Sequence, residues 1–224
     1  MTHLDRLRAL TPLSGHVVVD VGCGTGGLVR ALAQAGAHAI GIEANEPPLA
    51  AASAHPPVNG ERYLKGEGQA LPLPDASADV VVFIFSLHHV PVAAQRKALA
   101  EARRVLRPGG RVHVAEPLVM GPYFQLLRWV DDETEVRAAA QAALADAEGL
   151  GLRVVADEFY DHVEEFADFE DFKRRAVLVD RARTNALERV EPHARHAFHA
   201  HGEVTERGVR FVQPVRVLHF EVRP

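Results

Sequence analysis

Val17-Val18-Val19-Asp20-Val21 runs straight into Gly22-Cys23-Gly24-Thr25-Gly26-Gly27, and that junction constrains the fold more than any other stretch. A short, almost wholly apolar run rich in β-branched residues suits a parallel strand buried on both faces. Glycines directly after it let the backbone turn tightly, into conformations that a Cβ opposes. Leu28, Ala31, Leu32 and Ala35 then recur at helical spacing, so the unit reads strand, glycine turn, helix. The free N–H groups and positive dipole end of such a helix suit an anionic or carboxylate-bearing ligand.

A second acid fits the same scheme. Ala39-Ile40-Gly41-Ile42-Glu43 reads as the next strand, and Glu43 ends it. Its distance from the glycines, roughly twenty residues, is that of the ribose-binding acid in doubly wound cofactor folds. A carboxylate there can accept from both ribose hydroxyls. Nicotinamide fingerprints begin with a glycine straight after the strand and space a third for pyrophosphate. Here Gly22, Gly24 and Gly26 alternate, with Asp20 two residues ahead of them. The plain alternatives are a tight turn that binds nothing and a solvated strand-end acid.

Two further blocks carry a resemblance. Gly66-Glu67-Gly68-Gln69-Ala70-Leu71-Pro72-Leu73-Pro74-Asp75 leads into Ala78 to Val90, and Leu99 to Pro117 holds Arg107-Pro108-Gly109-Gly110. Together with the glycine turn and Glu43, they resemble class I S-adenosylmethionine-dependent methyltransferases of the ubiquinone- and menaquinone-biosynthesis-like group (methyltransferase type 11). The resemblance covers residues 16–117. It implies a doubly wound, Rossmann-like α/β fold: a mostly parallel seven-stranded sheet with an antiparallel last strand and helical insertions. It also implies S-adenosylmethionine as cofactor and S-adenosylhomocysteine as product. Asp20, Gly22, Cys23, Gly24, Gly26, Glu43, Ala44, Glu67, Gly68, Gln69, Ile84 and Phe85 are then the cofactor-binding candidates. In the resembled family an acid at the position of Glu67 receives the adenine amino group, and the next backbone N–H meets the ring. The usual residue there is Asp, so Glu67 carries its carboxylate one methylene further out. Positions matching Ile84 and Phe85 line the methionine end.

His88, His89, Glu116 and Tyr123 are the catalytic candidates near the expected methyl position. His89 matches a place beside the cofactor in related small-molecule enzymes. Each has a structural alternative: a histidine bonded to backbone, a strand-end acid, a packed aromatic. Tyr123, Phe124, Arg128 and Trp129 are candidates for an acceptor wall, since aromatics pack planar substrates and Arg can hold a carboxylate. Ordinary helix packing is the favoured account of them.

The remaining chain bounds the function. With 224 residues and 47% hydrophobic content, one substantial core is expected. We read residues 1–224 as a single methyltransferase domain: a cofactor-binding core over 16–117, a partly helical acceptor-side cap over 118–208 and a terminal strand over 209–222. Pro91 suits a helix start, Pro108-Gly109 its stop, and Leu152 to Ala156 a sixth strand. Val163 to Ala200 reads mostly as helix, broken at Glu191-Pro192. A formal charge of −5 argues against a nucleic-acid surface as the main feature. Cys23 is the only cysteine, which excludes an internal disulfide and suits a reducing cytoplasm. The first residues lack the apolar core of a secretion signal; Thr2 and Asp5 read instead as a helix capping box.

Charge is uneven beyond Asp131, where an acidic stretch precedes Lys173-Arg174-Arg175, Arg181 and Arg183. Solvated helix faces explain it better than a charged acceptor pocket. His193, His196, His199 and His201 lack companion ligands at metal spacing, so the reading is a solvated helix end and no metal. Methyl transfer to a small molecule is the expected function, through oxygen, nitrogen or carbon, by a chain that could form a homodimer. A protein or RNA methyltransferase, or a cofactor-binding protein without acceptor chemistry, are the alternatives.

Overall fold

The computed structural model describes residues 3–179 and 183–222. Thr2, the expected cap of the first helix, and Arg181 of the basic run lie outside the described residues. Helix α1 (His3–Leu10) precedes β1 (Val17–Val21), which passes through the glycine turn into α2 (Gly27–Gln34). β2 (His38–Glu43), α3 (Glu46–Ser53), β3 (Arg62–Lys65) and β4 (Ala78–Ile84) follow. β1 pairs in parallel with β2 on one side and β4 on the other, and β2 with β3. That arrangement hides both faces of β1, as its run of valines requires.

Alternation along β1 sorts its side chains into two cores. Val19 and Val21 join Ile40, Ile42, Val81 and Phe83 in one cluster, which α4 (Gln95–Val105) covers with Ala98, Leu99 and Ala102. Val18 faces the other way, into a cluster with Val80, Val82, Leu7 of α1 and Val29 and Leu32 of α2. A sheet with helices on both faces is the result.

α4 does not run to Pro108. It ends at Val105, and β5 (Leu106–Pro117) starts at once. Ala78 of β4 faces Leu106, but Val80 faces Arg111, so Arg107 to Gly110 form an irregularity inside the strand pairing. Arg107 turns back to bond Asp79 at 2.6 Å, while the other Asp79 oxygen accepts from Val17 N at 2.7 Å. The Pro-Gly-Gly segment is therefore a bulge tied to the start of β1, rather than a turn closing a helix.

The later chain supplies α5 (Pro122–Leu127), α6 (Thr134–Ala145), β6 (Leu152–Phe166), α7 (Phe169–Val179), α8 (Arg183–His201), β7 (Glu203–Thr205) and β8 (Gly208–Val222). The strand order is β3-β2-β1-β4-β5-β8-β6, with β7 antiparallel on β8. The seven strands expected form that path, and the short β7 is an eighth beside it. Two expectations are corrected here. β6 continues ten residues beyond Ala156 to Phe166, because it lies beside an equally long β8. Pro192 sits inside α8 without breaking it. Ala194, Ala197 and Phe198 bury their face of that helix, and the Arg195–Glu191 pair at 2.7 Å spans the proline.

The chain forms two compact units. One takes in the residues up to Glu116, Ala139–Glu158 and the chain from Val217; the other holds Pro117–Ala138 and Phe159–Arg216. The second has its own core, in which Phe166, Phe169, Phe172, Phe198 and Phe211 pack together.

Candidate functional site

The site grows from the carboxyl ends of β1, β2 and β4. Gly22 and Cys23 both donate their N–H to Ile42 O, at 2.8 and 3.0 Å, which folds the glycine turn back over β2. Gly22 has φ of 75°, and a Cβ there would lie 2.6 Å from Ser86 Cβ, so both conformation and space demand glycine. Gly24 also has a positive φ, 54°, yet a Cβ there would meet nothing within 4 Å. Gly26 ends the turn as the residue capping α2.

Glu43 is buried where β2 ends. One of its oxygens accepts from Gly24 N at 3.0 Å and the other from Asn45 N at 2.8 Å. Each carboxylate oxygen offers two lone pairs, so both retain capacity for a further donor. Ala44, next in sequence, is exposed. Asp20 is 3% exposed and accepts no hydrogen bond among the described residues. Burial, and then the nearby Glu43, push its carboxyl up to about 7. Cys23 is pushed up to about 12, by burial first and then by Asp20 and Glu43, so it is a packed thiol rather than a nucleophile.

The β3 exit brings Glu67, Gly68 and Gln69. Gly66 N donates to Glu43 O at 3.1 Å, which anchors this segment to β2. Glu67 is exposed, and one of its oxygens accepts from Gln69 Nε2 at 2.6 Å. Gly68 lies where a Cβ would stand 3.1 Å from Val90 and 3.5 Å from Val21. Ile84 and Phe85 close β4, both half-buried, and the His3 ring meets Phe85 edge-on at 5.1 Å between centroids.

Three of the four catalytic candidates, His88, His89 and Glu116, lie in the first unit. His88 is 3% exposed, with Nδ1 2.5 Å from Glu116 Oε2, and Glu116 itself has no exposure. His89 is exposed and its ring lies 4.1 Å from that of His88. Tyr123 belongs to the second unit, where it stacks on Phe166 at 6.2 Å and meets Phe211 edge-on at 6.5 Å. Phe124 is buried under the guanidinium groups of Arg128 and Arg137, at 5.7 and 5.4 Å. Trp129 stacks on His193 at 4.9 Å; His196 and His199 are exposed. Ser86 was not among the candidates. Its hydroxyl donates to Val21 O at 2.6 Å and clasps β4 to β1. The only sequence signal for it is a small polar residue ending an apolar strand.

The family described as "Methyltransferase domain" matches residues 19–114. A "Ubiquinone biosynthesis O-methyltransferase" from Pseudomonas paraeruginosa is 38% identical over 107 residues, 46% of this chain and 45% of the relative. A "Demethylmenaquinone methyltransferase" from Clavibacter sepedonicus is 35% identical over 118 residues, 49% of this chain and 44% of the relative. The chain thus spans less than half the length of these curated relatives within the aligned part. Among solved structures, a SAM-dependent methyltransferase from Methanosarcina mazei matches with a TM-score of 0.59 at 15% identity, covering 100% of this chain and 99% of that one.

Proposed function

We propose, for a chain that carries the class I S-adenosylmethionine-dependent methyltransferase fold with a methyltransferase domain over residues 19–114, that it transfers the donor's methyl group to a small-molecule acceptor. The observation that carries this reading is the pairing of Asp20 with Glu43: a buried carboxyl without a hydrogen-bond donor next to a carboxylate that braces the glycine turn.

These residues fit the donor. Glu43 keeps acceptor capacity on both oxygens for the ribose hydroxyls while its bonds to Gly24 N and Asn45 N fix its orientation. Asp20, which accepts no hydrogen bond among the described residues, gives the donor's ammonium group a counter-charge. Gly24, with open space where a side chain would project, lets the ligand approach the backbone. Glu67 and Gly68 serve the adenine, and Ile84 and Phe85 wall the methionine end. Cys23 and Gly26 shape the turn, and Gln69 steadies Glu67 through its 2.6 Å bond.

When bound, the donor supplies a methyl group on a sulfonium, already activated for in-line displacement. The chain's own task is to hold the acceptor atom collinear with that bond and to exclude water. His89, exposed after β4, is the group placed to take a proton from an acceptor that must lose one. The curated relatives named for quinone biosynthesis support a small, planar acceptor. The formal charge of −5 favours such a molecule over nucleic acid. No described helix is long and apolar enough to cross a membrane. The single cysteine suits a reducing compartment, and on that ground we read the protein as cytoplasmic.

Calorimetry with S-adenosylmethionine and S-adenosylhomocysteine tests the reading, with Asp20→Ala and Glu43→Ala alongside. Micromolar binding that both substitutions abolish is the expected result. Folded, ligand-free wild-type protein that binds neither molecule would overturn it.

A further inference from the structure

Among the described residues only Ala76 and Phe85 combine a side chain with positive φ, and Phe85 does so at 53°. A bulky residue rarely adopts that conformation, and it persists where the surroundings over-determine it. At Phe85 they do, from two sides. Its own N–H donates to Ala115 O at 2.9 Å. The next two amides, Ser86 N and Leu87 N, both donate to Glu116 Oε1, at 3.1 and 2.8 Å, and Glu116 Oε2 takes His88 Nδ1. From β1, Val21 O receives the Ser86 hydroxyl at 2.6 Å.

Glu116 has no exposure at all. A carboxylate removed from water is tolerated only where hydrogen bonds replace its hydration, and all three of those bonds go to one short segment, Ser86 to His88. All three hydrogen bonds that Glu116 makes among the described residues therefore serve the turn that follows Phe85. We propose, resting on the donor reading above, that Glu116 is the positioning residue of the donor pocket. It fixes the backbone after β4 and so holds Phe85 in the strained conformation that walls the methionine end. It touches no reacting atom; this assigns it to geometry rather than to proton transfer.

Reach and charge can be separated. Glu116→Gln keeps the length and an oxygen for Ser86 N and Leu87 N, and its amide can donate to His88 Nδ1 in the other tautomer. Glu116→Asp keeps the charge but withdraws the acceptor by one methylene. Glu116→Ala removes both. Calorimetric affinity for S-adenosylhomocysteine is measured for these and for Leu152→Ala, a buried substitution at the start of β6, together with each thermal midpoint. We expect Glu116→Gln within about three-fold of wild type, and Asp and Ala weaker by about ten-fold or more, a difference set by reach. Leu152→Ala should lose thermal stability and keep its affinity. Wild-type affinity in Glu116→Asp, or a Gln variant as weak as Asp, would overturn the proposal while leaving the donor reading intact. If Glu116→Ala does not fold, the order of Gln and Asp still decides. A folded wild type without binding would overturn the donor reading, and this proposal with it.

Discussion

His113 and His219 meet Nδ1 to Nδ1 at 3.3 Å, and neither ring is exposed. One nitrogen must donate and the other accept, so the contact suits two neutral rings. Each Nε2 is buried without a hydrogen-bond partner among the described residues. His113 is lowered to about 3, by burial first, then by His219, and by His3 and Arg6 of α1. His219 is lowered to about 4, by burial and then Arg111.

Acid stability follows from that pair. Histidine in the unfolded chain gains its proton near pH 6.5, whereas the folded rings resist it until about 4 and about 3. The unfolded state therefore binds more protons below pH 6.5, and stability falls as pH drops through that window. At pH 5 the linkage amounts to about 2 kcal/mol per ring at most. Urea denaturation of wild type and the His113→Leu/His219→Leu double variant at pH 7.5 and pH 5 measures it. The double variant should lose less stability between the two pH values; an equal loss would mean the rings do not titrate in this way.

Asp20 sets a pH dependence of opposite origin. Its carboxyl is raised to about 7 by burial and by Glu43, so the empty pocket holds a proton below that pH. A bound ammonium requires the ionised form, so binding releases a proton and weakens about ten-fold per pH unit below 7. Donor affinity measured from pH 5.5 to 8 should rise and then level. Asp20→Asn should bind weakly with a flat profile. For stability the sign is reversed: a raised carboxyl favours the fold at low pH, and that contribution fades from about pH 4 to 7.

Two glycines of the same turn should fail differently. Gly22→Ala adds strain at a φ of 75° and a Cβ 2.6 Å from Ser86, so it should cost stability by about 2 kcal/mol or more. Gly24→Ala meets no neighbour, so its strain should cost only about 1 kcal/mol. Its Cβ enters the space given to the donor, and affinity for S-adenosylhomocysteine should fall by more than ten-fold. Paired melting and binding curves distinguish the two; intact affinity in Gly24→Ala would place the donor elsewhere.

The sequence shows the glycine turn and Glu43 clearly because both are local patterns: a valine run, alternating glycines, an acid at the next strand end. It cannot show Glu116 reaching Ser86 and Leu87, since those bonds join residues 29 and 30 positions apart. Glu116 is conspicuous as an acid after an apolar strand, and that suggests chemistry; only its full burial shows that it holds backbone. Long-range pairing likewise extends β6 through Asp157, Glu158 and Asp161, residues that read as loop or helix by themselves. Pro192 misleads for the same reason, because tertiary packing of Ala194, Ala197 and Phe198 outweighs the missing N–H.

Arg137 and Glu133 make the last case, inside the second unit. Both are buried, at 4% and 6% exposure, with Nη2 2.6 Å from the Glu133 carboxylate. Arg137 also donates to Gln213 Oε1 at 3.0 Å, and Gln213 Nε2 donates to Leu118 O and Met120 O at 2.9 and 3.2 Å. The ion pair thus ties the start of α6 to β8 and to the segment after β5. Arg137→Met removes the cation and keeps the volume, so the buried Glu133 loses its bonds to Arg137; the expected cost is about 3 kcal/mol. Removing both charges, as Arg137→Met/Glu133→Leu, should recover much of that loss, since desolvation disappears along with attraction. Urea unfolding followed by far-ultraviolet circular dichroism and by Trp129 fluorescence reads both variants, and Trp129 reports on the second unit. A double variant no more stable than Arg137→Met would show that the Gln213 bonds, rather than the buried charge, carry the effect.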